Sequence, residues 1–295
     1  MTENHLLDLA NGIVKRALAA GASDAECTIG EGEEFTANVR MRELENLKEA
    51  GSSAAGLRIL IGKKTGSSYT SDLTPEGVDL LVRSAIELAA VTTEDPHAGL
   101  PEPEELGSHA GDLQLYSEDV EGLETARKVE LARRAEEAAL SFDPRITNSE
   151  GASFDSYLSR HVFANSRGFA GEYRSSYCSI ATAPVARDGE SMERDSWDTS
   201  SRRFGALEAP EVVGRIAAAR ALRRLNARKV DTQKVPVVFE PRAARSLLDL
   251  FLIEKAAYEI AYEAANRPTW IGVPVAGLAR LITRITGNET GGRNG

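Results

Sequence analysis

Ala55-Gly56-Leu57-Arg58-Ile59-Leu60-Ile61-Gly62-Lys63-Lys64-Thr65-Gly66-Ser67-Ser68-Tyr69-Thr70-Ser71-Asp72-Leu73-Thr74-Pro75-Glu76 is the stretch on which the fold turns. Ala55–Ile61 is rich in aliphatic side chains and bounded by glycines, as a strand is. Gly62-Lys63-Lys64 reads as a hairpin turn, and Gly66–Ser71 as the returning strand. Thr74 followed by Pro75 is a helix start, with the threonine as N-cap and the proline at the first helical position. Val78, Leu81, Val82, Ala85, Ile86 and Ala89 then form one apolar stripe at helical spacing. Upstream, Ala25–Val39 and Leu44–Ala50 read as two further strands. Residues 4–20 carry a helical stripe of Leu6, Leu9, Ala10, Ile13, Val14, Ala17 and Leu18, closed by Gly21. Helix, meandering strands, helix: the pattern predicts an α+β domain with a mainly antiparallel sheet.

Downstream, residues 94–124 hold ten acidic side chains and no Lys or Arg, with Pro96, Pro101 and Pro103. This predicts a long acidic surface connection; a docking strip for a basic partner is the functional alternative. Residues 121–141 read as a helix and 145–163 as a strand. Asn165-Ser166-Arg167-Gly168 is a turn signal, after which Phe169–Pro184 continues as strand. Val212–Leu225 is expected to be a helix with Ile216 and Leu222 inward and Arg215, Arg220, Arg223 and Arg224 outward. Those arginines are either a solvated face or a salt-bridge contact to the acidic connection. Val235–Phe239 reads as a strand, and Pro241 as the start of another helix.

The chain has 295 residues, 42% hydrophobic and 27% charged, enough for one large or two ordinary domains. With 35 basic against 45 acidic residues its net charge is −10, which disfavours binding nucleic acid through a broad basic face. Met1-Thr2-Glu3-Asn4-His5 has neither a basic nor an apolar signal region, and no apolar run approaches the roughly 18 residues of a membrane span. Cys27 and Cys178 stand far apart and form no CxxC pair, so free thiols and a cytoplasmic location are expected.

Chemistry-bearing motifs are sparse. The four histidines, His5, His97, His109 and His161, are not followed by Glu, so no HExxH helix exists. Gly56 through Lys64 misses the P-loop spacing and carries Lys64 where a hydroxyl is needed. Gly30-x-Gly32 does not lead from a buried strand into a helix, so it is a weak dinucleotide signal. His161 follows Asp155, Ser156 and Ser159 on an expected strand. A Ser/His/Asp set can be imagined there, but the residues alternate faces within one stretch, and a half-exposed strand histidine is the plainer expectation.

The order of these segments resembles the TldD/PmbA family, the so-called modulators of DNA gyrase. The likeness runs through Gly56-Leu57-Arg58-Ile59, Gly66, Ser71-Asp72-Leu73-Thr74 and Ala164-Asn165-Ser166-Arg167-Gly168. It continues through Leu222-Arg223-Arg224-Leu225-Asn226-Ala227-Arg228-Lys229 and Val235-Pro236-Val237-Val238-Phe239-Glu240-Pro241-Arg242, and covers about residues 1–248. The resemblance implies a curved, mainly antiparallel sheet with flanking helices over 1–230, the start of a β-rich C-terminal domain over 231–248, and a zinc protease assembled from two paralogous subunits that acts on small or unfolded peptides. In the TldD-type subunit an HExxxH motif follows the strand that matches Val235–Phe239. Here the matching stretch, Glu240-Pro241-Arg242-Ala243-Ala244-Arg245-Ser246-Leu247-Leu248, has no histidine.

This chain therefore resembles the PmbA/TldE-type, metal-free partner. No catalytic, cofactor-binding or metal-binding residue carries over, and zinc would sit in the TldD-type subunit. Residues 251–285 instead resemble the last helix and tail of maltokinases, through Tyr258-Glu259, Tyr262-Glu263 and Asn266-Arg267-Pro268-Thr269-Trp270. That resemblance implies a helical tail over 249–286 on a truncated chain, either a chimera broken near Leu248 or a real fusion that keeps only the N-terminal domain, and the polar, Gly-rich residues 287–295 are expected to be disordered. The expected function is a non-catalytic subunit of the peptidase, possessing a TldD-type partner, peptide substrates, and neither nucleic acid nor membrane as partners. The alternatives are a stand-alone peptide-binding module and a chimeric fragment without activity of its own.

Overall fold

A computed structural model describes residues 5–107, 112–266, 275, 278 and 279. His109 and most of the expected tail, including Trp270, Ile271, Val273 and the expected disordered end, lie outside them. The chain divides into two units, one up to Arg228 and one from Lys229 onward.

The first unit is built on seven strands: β1 (Asp24–Arg40), β2 (Glu43–Ile61), β3 (Lys64–Thr70), β4 (Ile146–Asn165), β5 (Ala170–Asp188), β6 (Ser191–Arg194) and β7 (Trp197–Ser201). All pair antiparallel in the order β3-β2-β1-β4-β5-β6, with β7 also on β5. The long strands form a curled half-barrel, so the expected α+β class with an antiparallel sheet holds. The helices are α1 (His5–Ala19), α2 (Pro75–Val91), the single turn α3 (Glu118–Glu121), α4 (Thr125–Leu140) and α5 (Pro210–Arg224).

The helices cover one face of the sheet in two groups. Leu6, Ile13 and Val14 of α1 and Val78 and Leu81 of α2 bury against Ile29, Leu57, Ile59 and Val162. Leu131 and Ala135 of α4, Val120 of α3 and Val213 of α5 bury against Phe35, Val39, Phe154 and Ile180. Each large aliphatic or aromatic side chain so covered contributes about 1.5–3 kcal/mol. At the β2–β3 turn Gly62 takes φ +61°, and Ile61 pairs with Lys64. Gly66 lets β3 touch α2: a Cβ there would stand 2.1 Å from the Ala85 carbonyl oxygen.

Several expectations need correction. Leu44–Ala50 and Ala55–Ile61 are one 19-residue strand. Gly51-Ser52-Ser53 does not break it, because these residues pair in unbroken register with Glu33, Gly32 and Glu31. β5 runs past Pro184, and the polar Ser191–Ser201 stretch forms β6 and β7. The acidic connection is partly folded onto the sheet: Leu100 and Val120 are buried and Leu115 accepts a backbone bond from Ser176.

In α5 the buried face is Val213, Gly214, Ala217, Ala218 and Ala221, with Ile216 and Leu222 only partly covered, because small residues allow close packing on α4. Arg220 and Arg224 pair with Asp195 and Glu193 beside β6, and not with the acidic connection. It is Arg167 and Arg174 that meet that connection, through Glu102 and Glu121.

In the second unit Val235–Phe239 is not a strand; it is exposed and no described strand pairs with it. An extended segment needs a neighbour for its backbone groups to count as sheet. From Pro241 one helix, α6 (Pro241–Asn266), runs through Leu248 and Phe251 without a break.

Candidate functional site

Strand alternation separates the residues that a triad would need. His161, Ser159 and Asp155 share the face of β4 turned away from the helices, while Ser156 points to the helix side. Asp155 lies six residues from His161, about 20 Å along the strand. It accepts bonds from the hydroxyls of Thr36 and Ser153, each at 2.9 Å. Ser159 shares a 2.6 Å bond with Ser175. His161 is half-buried and stacks on Tyr173 with ring centroids 5.0 Å apart. It is the strand histidine that the alternation predicted.

Metal chemistry fits no better. Burial pushes the Cys27 thiol up to about 12 and the Cys178 thiol up to about 11, so neither is a ready thiolate. His5 and His97 are exposed. Among the described residues no three His, Cys, Asp or Glu side chains converge as a metal site would need. Glu240–Leu248 supplies a loop end and the first turns of α6, with no imidazole. Zinc therefore does not fit the described residues.

The asparagine turn is structural. The Asn165 side-chain oxygen accepts from the amides of Arg167 and Phe169, and Gly168 takes φ +90°. Ser166 accepts from the Ala25 amide and donates to Asp24, while Arg167 pairs with Asp24 at 2.9 Å. The turn after β4 is thus clasped to the start of β1.

Among the described residues two surfaces stand out as open to a ligand. The first is the sheet face turned away from the helices, where half-exposed Tyr173 lies opposite His161 and half-exposed Tyr177 opposite Tyr157. Tyr157 lies across Gly32, where a Cβ would come within 2.7 Å of its hydroxyl. The second is a hollow of about 610 Å³ on the helix side, in the gap between the two helix groups. Its floor crosses four strands in register: Ser53, Glu31, Arg160 and Arg174 form one row, and Gly51, Glu33 and Leu158 lie in the next.

Arg160 pairs with Glu172 at 2.7 Å, and Arg174 with Glu121 at 2.8 Å, its guanidinium 3.8 Å from the Tyr116 ring centroid. Tyr116 donates to Glu121; burial first, and that bond second, push the phenol up to about 12. Its bond to Tyr116, with that to Arg174, holds the Glu121 carboxyl below its ordinary value, against the opposing effect of burial. Glu31 and Glu33 make no hydrogen bond or salt bridge with any described side chain. Lys128 sits with its ammonium 4.4 Å from the Phe35 ring centroid; burial lowers its pKa, opposed by the charges of Glu49 and Glu33.

Nothing in the motif search pointed to this hollow. The signal was present in the alternation: Glu31, Glu33 and Arg160 occupy positions that on either side hold Ile29, Phe35 and Val162.

Comparison with known proteins agrees with this architecture. Residues 25–89 match the PmbA/TldA metallopeptidase domain 1, and residues 118–225 the PmbA/TldA metallopeptidase central domain. The chain is 37% identical over 231 residues to metalloprotease PmbA of Escherichia coli O157:H7, covering 78% of this chain and 51% of that protein. It is 33% identical over 249 residues to a PmbA homologue of Haemophilus influenzae, covering 84% and 54%. The chain thus spans about half the length of the curated relatives it matches.

Among solved structures, a proposed modulator of DNA gyrase from Bacteroides thetaiotaomicron superposes with a TM-score of 0.70 at 25% identity, over 78% of this chain and 52% of that one. TldE of Thermococcus kodakarensis superposes with a TM-score of 0.63 over 72% and 47%; at 15% identity it speaks for the fold alone. The two matched domains, lying in order on one half-barrel sheet, make this chain a member of the PmbA/TldD family.

Proposed function

We propose that this chain acts as a PmbA-type, non-catalytic subunit beside a TldD-type zinc peptidase. One observation carries the reading: the segment Glu240–Leu248, where the resemblance expects the zinc-binding helix of the catalytic subunit, has no metal-binding side chain beyond Glu240. A metal-activated water needs at least three protein ligands and a general base, and these residues supply neither. The PmbA relatives at 37% and 33% identity support the assignment to that branch. In this role the half-barrel sheet serves peptide substrates as a binding wall, and the partner supplies the metal.

The test is reconstitution. The chain is purified alone and with a TldD-type subunit, and zinc content, co-elution and cleavage of an unfolded peptide are measured. The reading expects co-elution, and zinc and cleavage only when the partner is present. Stoichiometric zinc in the isolated chain, or cleavage by it, refutes the reading.

A second reading, a peptide-binding module that works without such a partner, is favoured by a different feature. The outer edge of β2 from Glu43 to Ala54 has no strand beside it among the described residues, because β3 ends opposite Ala55.

A further inference from the structure

We propose that the open edge of β2 at Ala50–Ala54, together with the hollow beside it, is a binding site for an extended peptide segment carrying lysine or arginine at alternate positions. The proposal deepens the peptide-binding reading and does not depend on the zinc partner.

Edge strands are usually guarded by charge. Here Glu43, Glu45, Lys48 and Glu49 guard the first part of β2, whereas Ala50-Gly51-Ser52-Ser53-Ala54 is uncharged and small. This unguarded part adjoins the end of β3, so an added strand would prolong the row that β3 begins. Its backbone would take up the outward amides and carbonyls of β2, which no described strand uses.

Side chains decide what kind of strand fits. Gly51 and Ser53 lie between the added strand and β1, paired with Glu33 and Glu31. Strands lie about 4.8 Å apart, so the newcomer's backbone is roughly 10 Å from that of β1. Across Gly51, which has no side chain, and Ser53, which has a short one, a long side chain on the helix side reaches the carboxylates of Glu33 and Glu31. These two are about 6.8 Å apart along the strand, the spacing of alternate residues on a neighbouring strand.

The charge in the hollow is unbalanced in one direction. Both arginines are matched, Arg160 by Glu172 and Arg174 by Glu121, while Glu31 and Glu33 make no salt bridge with a described residue, the Lys128 ammonium acting on Glu33 only through space. The long side chains that bring positive charge to those carboxylates are lysine and arginine.

The test uses the whole chain and labelled synthetic peptides, read by fluorescence anisotropy. Three probes are compared: a short peptide alternating threonine and lysine, its glutamate counterpart, and the lysine peptide N-methylated on alternate backbone amides. The proposal expects the lysine peptide to bind about tenfold or more tightly than either of the others. Glu31→Gln with Glu33→Gln weakens it about tenfold and removes most of its salt dependence.

Gly51→Lys, whose Cβ meets only the Gly32 carbonyl oxygen at 4.0 Å, blocks the same path from within the fold. Thermal melts of each variant establish that it is folded. Equal binding of the lysine and glutamate peptides, insensitivity to N-methylation, or full binding by the folded double variant overturns the proposal. So does a dimer of the chain that buries this edge and excludes peptide. Co-elution with a TldD-type subunit is scored separately, so failure of the subunit role and failure of this site are told apart.

Discussion

Replacing Glu136 with alanine removes the anchor of the β1–β2 hairpin. Arg40 pairs with Glu43, which leaves Met41 and Arg42 as a two-residue turn. Both take positive φ, 49° and 72°. Such a turn favours Asn-Gly, and each non-glycine residue held there costs about 1–2 kcal/mol. Glu136, fully buried on α4, offsets that cost by accepting the Met41 amide at 2.9 Å and the Arg42 amide at 2.6 Å.

Hydrogen bonds to a charged group contribute about 1.5–3 kcal/mol each. The turn is exposed, so water recovers part of the loss, and Glu136→Ala is expected to cost about 3 kcal/mol. For a unit of this size that is a fall in Tm of roughly 6–12 °C. Glu136→Gln keeps one acceptor and turns a donor toward an amide, for about 2 kcal/mol. Met41→Asn, which tolerates the left-handed region, gains about 1 kcal/mol in either background. Thermal and urea melts give the magnitudes, and hydrogen exchange at Met41 and Arg42 locates them. An alanine variant that melts with the parent and leaves both amides protected refutes the reasoning.

Close packing supplies a second set of expectations. Gly66→Ala and Gly214→Ala each place a Cβ about 2 Å from a backbone oxygen, of Ala85 and Ala135 respectively, and should cost about 3 kcal/mol in urea melts. Gly12→Ala, with open space around it in α1, should gain about 0.5–1 kcal/mol by the same measurement. At alkaline pH the folded state keeps thiol protons that the unfolded chain releases above its ordinary value of 9.0. Stability should therefore fall as pH rises from about 9 toward 11–12, by up to about 1.4 kcal/mol per pH unit for each thiol, and Cys27→Ala should flatten that limb in melts. At acid pH the Asp143 carboxyl, held down at about 2 by its bonds to Arg145, contributes stability above about pH 4. That contribution is lost as pH falls toward 2, and Asp143→Asn should make the acid limb shallower.

Local signals with a single physical cause were legible in the sequence. Thr74-Pro75, Gly62 and the Asn165–Gly168 turn lie where cap and turn chemistry put them. Less legible was whatever depends on a neighbour. Gly51-Ser52-Ser53 resembles a break, yet pairing with β1 carries the strand through it. Val235–Phe239 has strand composition but no partner strand among the described residues. The arginines of α5 chose Asp195 and Glu193 because β6 and β7, too polar to stand out as strands, place those carboxylates beside the helix. The hollow was hidden for a related reason. Glu31, Glu33, Arg160 and Arg174 come from three strands, and only the register puts them in adjoining rows.

The assignment as a metal-free partner meets its most direct test in the zinc content and peptidase activity of the isolated chain, measured before and after addition of a TldD-type subunit. The account predicts neither zinc nor cleavage from the chain alone, and both once the partner is bound. Stoichiometric zinc with cleavage in the isolated chain would contradict it.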